Sequence, residues 1–273
     1  ISMGRLMPAT ASTLPGTTTT TWGTAIFCYV TNSPLVNGAT QYLVRGGAVL
    51  SNDFTRVSAT NVVLNLTNNA VLAWDWMTNY WLASVTTNGM VTGGNGWKNA
   101  GTSVTLAAQA DLYYRFDCWT GDVPPGQAGS NPLVLLMDRS KAIAALFDAN
   151  RVTNNTPQWW LANYGLATND SGAMWDDGDG MPAWQEYRAD TDPTNSRSVL
   201  AVTNVRTEGA GIRVYWKGGN VSTQYLEARR VLSSMSEQWV AIFTNMPPTS
   251  TETDCVDQGI TNAVWFYRIK AVR

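Results

Sequence analysis

The amino-acid sequence predicts a mainly β protein, with tandem small β modules, a short two-helix linker and a C-terminal β-sandwich. Three observations predict this class. Short β-branched and aromatic runs are separated by Gly, Asn, Asp and Pro over most of the chain. One hairpin pattern recurs at an offset of 71 residues, which carries Val63 onto Val134. Helical spacing of apolar residues is confined to the stretch between 151 and 198.

The N-terminal part of the chain is predicted to be extended, because residues 1–35 are rich in Thr, Ser, Pro and Gly. One strand is expected there, at 25–30. Further strands are predicted from their β-branched and aromatic content at 62–66, 70–76, 80–86, 103–107, 113–119, 133–137 and 142–147. The chain up to residue 150 is therefore predicted to be all β.

The repeated hairpin keeps its apolar positions in both copies. The residues that fall on one another are Val63 and Val134, Leu64 and Leu135, Leu66 and Met137, Leu72 and Ile143, and Trp76 and Phe147. Side chains alternate between the two faces of a strand. Because the apolar residues have the same spacing in both copies, the same face should be buried in each copy.

The second copy carries a family resemblance. Its segments are Trp97, 100–108 (AGTSVTLAA), 114–122 (YRFDCWTGD), 131–138 (NPLVLLMD) and 141–147 (KAIAALF). This set resembles the bacterial internalin-type B-repeat. The resemblance predicts a B-repeat-like module at 79–150 and a partial one at 36–78. It implies a tandem β module of a large bacterial surface or secreted protein, with a stalk, spacer or adhesion role rather than catalysis.

Two short helices are predicted within the linker at 151–198. For the first, Thr156 is expected to be the N-cap, Pro157 the first helical residue and Gly165 the closing residue. The second is expected at 182–189. Both are too short to be stable alone, so each must pack on a neighbour or be tied by a ligand.

The C-terminal part, 199–273, returns to the β pattern. Strands are predicted at 199–205, 211–217, 224–230, 238–243 and 263–272. Apolar and polar residues alternate in several of them, so one face of each strand should be buried. In pattern, this part is similar to fibronectin type III modules.

The densest group of carboxylates lies at 176–186. With Gly180 at position 6 of a calcium-binding loop, Asp177 falls at position 3, Asp179 at position 5 and Glu186 at position 12. This is the spacing of oxygen ligands in an EF-hand loop, so calcium is the predicted cofactor. The backbone carbonyl of Pro182 is expected to be a further ligand.

The first position of this loop departs from the rule, because Trp175 stands where an Asp is expected. Asp176 could replace it, or Asp190 and Asp192 could supply an oxygen. The stretch resembles the dockerin or thrombospondin type 3 calcium segments that link modules of secreted bacterial proteins. In that resemblance Asp177, Asp179, Glu186 and Asp192 carry over as ligands. The alternative is a solvated acidic turn followed by a helix.

Composition excludes several function classes. The chain has no histidine, which excludes Ser-His-Asp and Cys-His catalysis and His-ligated zinc. Its 18 Lys and Arg against 20 Asp and Glu give a net charge of −2, which does not predict a nucleic-acid surface. No apolar run has the length of a membrane span.

Three cysteines leave at least one unpaired within a chain. The first residues, ISMG, indicate a processed or excised piece of a longer protein.

The sequence thus predicts a non-catalytic, extracellular or cell-surface structural and adhesive segment, with a filament or matrix subunit as one form of it. Its expected partners are other copies of itself, neighbouring surface proteins and polysaccharide, and calcium would stiffen the joint between modules. The alternative is a carbohydrate-binding accessory module of a secreted enzyme. Its candidate sugar-stacking residues are Trp22, Trp97 and Trp175, which have loop-like surroundings.

Overall fold

The computed structural model describes residues 19–50, 52–230, 238–258 and 264–273. The predicted fold class is confirmed, since the chain is mainly β with a few short helices. Residues 1–148 and 149–273 form two compact units. Residues 1–18 of the predicted N-terminal segment and residue 263 of the last predicted strand lie outside the described residues.

The strands of the first part are short, apart from β3, β6 and β12. In chain order they are β1 (Ala25–Tyr29), β2 (Leu35–Asn37), β3 (Thr40–Leu50), β4 (Asp53–Ser58), β5 (Asn61–Asn65), β6 (Val71–Thr86), β7 (Gly89–Thr92), β8 (Gly96–Asn99), β9 (Ser103–Ala110), β10 (Tyr114–Gly121), β11 (Leu133–Leu136) and β12 (Lys141–Ala149).

Strand β6 links the two copies of the repeat. This strand has 16 residues. Its first part, Val71 to Tyr80, pairs antiparallel with β3, and its last part, Leu82 to Thr86, pairs in parallel with β12. The prediction of two separate strands at 70–76 and 80–86 is wrong. Met77 and Asn79 pair with Leu43 and Gln41 of β3, so the chain has no turn there. Because β3 was not predicted, nothing in the sequence indicated a partner that would keep these residues extended.

The predicted repeat has the same burial pattern in both copies. The buried residues at matching positions are Val62 and Leu133, Leu64 and Leu135, and Leu72 and Ile143. In the second copy they pack around Trp119, whose indole Nε1 donates to the backbone oxygen of Ser130 at 2.7 Å. Burial of one face in each copy is what the alternating pattern requires.

The second unit begins with short elements. They are β13 (Arg151–Val152), a 3₁₀ turn (Thr153–Asn155), β14 (Thr156–Pro157), α1 (Gln158–Asn163), α2 (Asp170–Ala173) and α3 (Ala183–Ala189). Pro157, not Thr156, is the N-cap of α1, and the Thr156 hydroxyl donates to the Thr153 carbonyl. Helix α2 was not predicted. Its N-cap is Asn169, whose side chain accepts from Ser171 N and Gly172 N.

The C-terminal part contains two three-stranded sheets. They are built from β15 (Ala201–Glu208), β16 (Gly211–Lys217), β17 (Thr223–Arg229), β18 (Val240–Asn245), β19 (Glu252–Asp257) and β20 (Phe266–Val272), in the orders β15-β16-β19 and β18-β17-β20. Val214, Trp216 and Leu226 form their buried core. Strand β19 was not predicted, because its sequence, ETDCVD, has few apolar residues.

The helical segment and these sheets belong to the same compact unit. Helix α3 contacts β20, the hydroxyl of Ser222 donates to the Arg188 carbonyl at 2.6 Å, and Gly219 N donates to the Ala189 carbonyl at 3.2 Å. The end of α3 therefore contacts the sandwich at β20 and at the residues that precede β17. Within the described part of the chain, no helix has the length and apolar character needed to cross a membrane.

Candidate metal centre

The predicted calcium loop lies between α2 and α3 and is closed by a backbone hydrogen bond. Ala183 N donates to the Trp175 carbonyl at 2.8 Å. Inside the loop, Gly178 and Gly180 have φ of 106° and 86°, which side chains strongly disfavour. The Asp176 carboxylate accepts from both of these glycines, at 2.8 and 3.2 Å. The glycines thus let the loop turn tightly around its own carboxylates.

Three of the predicted ligands converge in this loop. Carboxylate oxygens of Asp176, Asp177 and Asp179 all lie within 4.8 Å of one another. Calcium is bound by oxygens at about 2.3–2.6 Å, so oxygens on opposite sides of one ion are about 5 Å apart. The spacing fits one calcium ion. The cluster includes Asp176, which is one of the residues that could replace the missing first ligand.

Glu186, at the predicted bidentate position, is fully buried. Its Oε1 accepts from the hydroxyl of Thr191 at 3.3 Å. Burial, and then the charges of Asp179 and Asp177, raise the pKa of Glu186 to about 8. These two charges act on Glu186 from the neighbouring loop, whereas the group of oxygens within 4.8 Å of one another consists of the three aspartates alone.

Several carboxylate oxygens of the cluster are buried without a hydrogen-bond partner in the described structure. They are both oxygens of Asp177, Oδ2 of Asp179 and Oε2 of Glu186. Buried polar atoms are nearly always hydrogen-bonded in folded proteins, and unpaired buried charges are costly. A cation bound among these oxygens would satisfy them together. Asp177, Asp179 and Glu186 therefore supply the buried oxygen donors that a calcium site requires, and Asp176 adds an exposed carboxylate beside them.

Asp192 lies at the margin of the cluster. Its Oδ1 accepts from the backbone N and the hydroxyl of Thr194, at 3.0 and 2.8 Å. Its charge contributes to raising the pKa of both Glu186 and Asp177. An ion bound by Asp192 would contact Oδ2, because Oδ1 already accepts two hydrogen bonds.

Asp190 and Pro182 are engaged elsewhere. Asp190 Oδ2 accepts from Asn220 N and Val221 N, both at 3.0 Å, and its Oδ1 pairs with Arg273 at 3.2 Å. The Pro182 carbonyl accepts from the first turn of α3, at 2.7 Å from Gln185 N. When Gly180 is placed at position 6, position 7 is Met181, so the loop rule itself points to the Met181 carbonyl.

The predicted sugar-stacking tryptophans have different surroundings. Trp22 is 80% exposed and Trp175 is 51% exposed. Trp97 lies in β8, not in a loop, and its ring packs edge-on against Trp81 at 5.2 Å between centroids. The cysteines Cys28, Cys118 and Cys255 are free thiols in the structure.

Sequence reasoning missed Thr191, which holds Glu186, and the residues that fix Asp190. A hydroxyl five residues after a buried glutamate carries no recognisable signal. The partners of Asp190 come from distant parts of the chain, at 220–221 and 273, so only the folded structure reveals them.

Comparison with known proteins identifies one part of the chain. Residues 81–151 match the family model of the divergent InlB B-repeat domain, which confirms the B-repeat resemblance for about a quarter of the chain. That family is a surface repeat domain, generally non-catalytic, and associated with bacterial surface proteins. Neither the curated proteins nor the solved structures contain a significant match.

Proposed function

With a B-repeat-like module at 81–151 as the premise, we propose that the chain is a non-catalytic structural or adhesive segment of a bacterial surface protein. Its helical segment at 151–198 binds calcium. The ion holds this segment in the conformation in which α3 is seated on the C-terminal sandwich. The joint that calcium stiffens therefore lies within the second compact unit.

One observation carries the calcium proposal. Glu186 is fully buried, its Oε2 is unpartnered, and its pKa is raised by two aspartates that have unpartnered buried oxygens of their own. Such carboxylates repel one another strongly in a region of low dielectric. A hard divalent cation removes that repulsion and prefers an all-oxygen donor set. Asp176, Asp177, Asp179 and Glu186 would hold it, with Asp192 beside them.

The structural role follows from what α3 contacts. The helix carries Glu186 towards the loop, and its last residues bond to the sandwich through the carbonyls of Arg188 and Ala189. Fixing Glu186 with an ion therefore fixes the seven-residue helix that makes these bonds. A helix of this length has little stability of its own, so the ion's contribution is large relative to it.

Thermal unfolding of the full chain tests the proposal. We expect millimolar calcium to raise the melting temperature of the second unit, and a chelator to lower it, because the ion binds only the folded form. Glu186→Gln removes one ligand charge with little change of shape and should abolish the response. Glu252→Gln, an exposed carboxylate on β19, is the matched control and should respond like the parent. Equal unfolding of the parent with calcium and with chelator would refute the calcium site.

The second candidate function is a carbohydrate-binding accessory module. The observation that favours it is the exposure of Trp22 and Trp175, since exposed indole faces can stack on sugar rings. Polysaccharide binding that is lost in Trp22→Ala or Trp175→Ala would support this function. Binding that both variants retain would argue against a role for these tryptophans.

A further inference from the structure

A basic cavity lies in the second unit, apart from the acidic loop. Its volume is about 490 Å³, within the range of small-ligand sites. Four cationic side chains line it: Arg151 of β13, Arg188 of α3, and Lys270 and Arg273 of the β20 end. These residues come from three separate parts of the sequence, so the cavity is assembled only by the fold.

Three of the four cationic side chains of this cavity make no ion pair in the described structure, whereas Arg273 pairs with Asp190 and donates to the Tyr187 carbonyl. Arg151 donates to the Asn155 carbonyl at 3.1 Å, and Arg188 to the Asn154 carbonyl at 3.3 Å. A guanidinium has five N–H donors, so one bond to a carbonyl leaves each arginine able to bind an anion.

Two of the arginines are held in position by aromatic rings of α3. The guanidinium of Arg188 lies 5.1 Å from the ring centre of Trp184, and that of Arg273 lies 4.6 Å from that of Tyr187. Stacking restricts these long side chains before any ligand arrives. Binding then costs less conformational entropy, which is the advantage of a preorganised site.

The rim of the cavity contains two consecutive residues in left-handed conformation. Asn154 and Asn155 have φ of 56° and 67°, and both are exposed. This conformation is uncommon for residues other than glycine and is often found at binding sites. It turns the two backbone carbonyls to the arginines. The amide side chains remain at the rim, where they can bond to hydroxyl groups.

We propose that this cavity binds an anionic saccharide. The guanidinium groups would hold the acidic group, since their planar donor pairs match a carboxylate or a similar oxyanion, and the asparagine amides would bond to hydroxyls of the ring. The choice of a saccharide rests on the surface location proposed above. The choice of an anionic ligand rests only on the charges of the cavity, and it requires neither that location nor calcium.

A neutral sugar fits less well, because Arg273 covers the ring of Tyr187, which is the aromatic face in the lining. Nucleic acid fits less well too. Four cations would form few phosphate contacts, and the chain as a whole carries a net charge of −2.

Binding to the full chain should be measured at low ionic strength with four probes: tetragalacturonate, a chondroitin sulfate tetrasaccharide, neutral cellotetraose and tetraglutamate. We expect at least one of the two anionic sugars to bind, and to bind less at high salt. Preference between them identifies the acidic group.

Arg151→Gln and Lys270→Gln should each weaken binding about tenfold, the loss expected for one charge-assisted bond. Arg197→Gln removes an exposed cation outside the cavity and should have no effect.

Three results would overturn the proposal: no binding of either anionic sugar, equal binding of tetraglutamate, or an equal loss in Arg197→Gln. Melting curves of the variants show whether each remains folded, and the exposed positions 151 and 270 should tolerate glutamine. Repeating the titration with Glu186→Gln separates the two proposals. Retained saccharide binding in that variant, whatever its response to calcium, supports a cavity that works independently of the ion.

Discussion

Asp190 and Arg273 are joined by an ion pair of 3.2 Å between Oδ1 and Nη1, at the point where α3 ends. The other oxygen of Asp190 accepts the backbone N–H groups of Asn220 and Val221. Asp190 itself is in left-handed conformation, with φ of 59°. The backbone of Asp190 therefore ends the helix, and its carboxylate attaches that end to two separate parts of the sandwich.

Asp190→Ala should destabilise the second unit by about 2–3 kcal/mol, because hydrogen bonds to a charged group are lost and alanine disfavours a positive φ. Asp190→Asn should cost less than half of this, since asparagine tolerates the conformation and keeps an acceptor oxygen. Urea unfolding followed by tryptophan fluorescence measures both. Equal costs for the two variants would show that the backbone bonds of Asp190 contribute little.

The internal repeat predicts matched effects in its two copies. Leu64 and Leu135 are both fully buried at equivalent positions, so each Leu→Ala substitution should cost about 2–5 kcal/mol. Val63→Ala and Val134→Ala, on the opposite face of the same strands, should cost under about 1 kcal/mol. Urea unfolding of the four variants checks this. A large cost for either valine would contradict the common orientation of the two copies.

Gly121 is required by close packing as well as by its backbone angle. It has φ of 92°, and a Cβ atom there would overlap the backbone carbonyl of Ala142. Gly126 has φ of 77° with open space around it. Gly126→Ala should therefore cost about 1 kcal/mol, whereas Gly121→Ala should cost more than about 3 kcal/mol. Melting temperatures measure the difference, and similar values for both would refute the packing argument.

The module at 81–151 should lose stability in acid through Asp122. The Ala142 N–H and then the Arg139 guanidinium lower the pKa of this carboxyl. A carboxyl with a lowered folded pKa stabilises the fold above its ordinary pKa of about 3.9, and the contribution is lost as the pH falls towards the folded value.

Urea midpoints compared at about pH 5 and about pH 3 measure this effect. We expect Asp122→Asn to have a smaller acid-induced change than the parent, because it lacks the titrating group. Asp111→Asn, at an exposed turn position, is the control and should behave like the parent. An unchanged pH dependence in Asp122→Asn would show that its ionisation does not contribute.

Much of the fold could be predicted because apolar alternation is local. Strands such as β5, β11 and β16 bury one face, and their sequences show it directly. Strand β3 was missed because Gly46 and Gly47 interrupt its pattern at a bulge. The continuity of β6 depends on β3, so the first omission caused the second error.

The candidate site could be predicted in part for the same reason. Asp177, Asp179 and Glu186 lie within one loop and helix, so their spacing is visible in the sequence. Asp190 is equally acidic and nearby, yet its partners are set by tertiary structure. Spacing alone cannot separate a metal ligand from a carboxylate that bonds to a distant part of the chain.

The most direct test of the central claim is a calorimetric calcium titration of the full chain after removal of bound metal. We predict one ion per chain, with the stoichiometry lost in Asp179→Asn and kept in Asp190→Asn, because Asp179 has an unpartnered buried oxygen whereas Asp190 bonds to the sandwich. No heat of binding in the parent, or equal loss in the two variants, would contradict a calcium site formed by this loop.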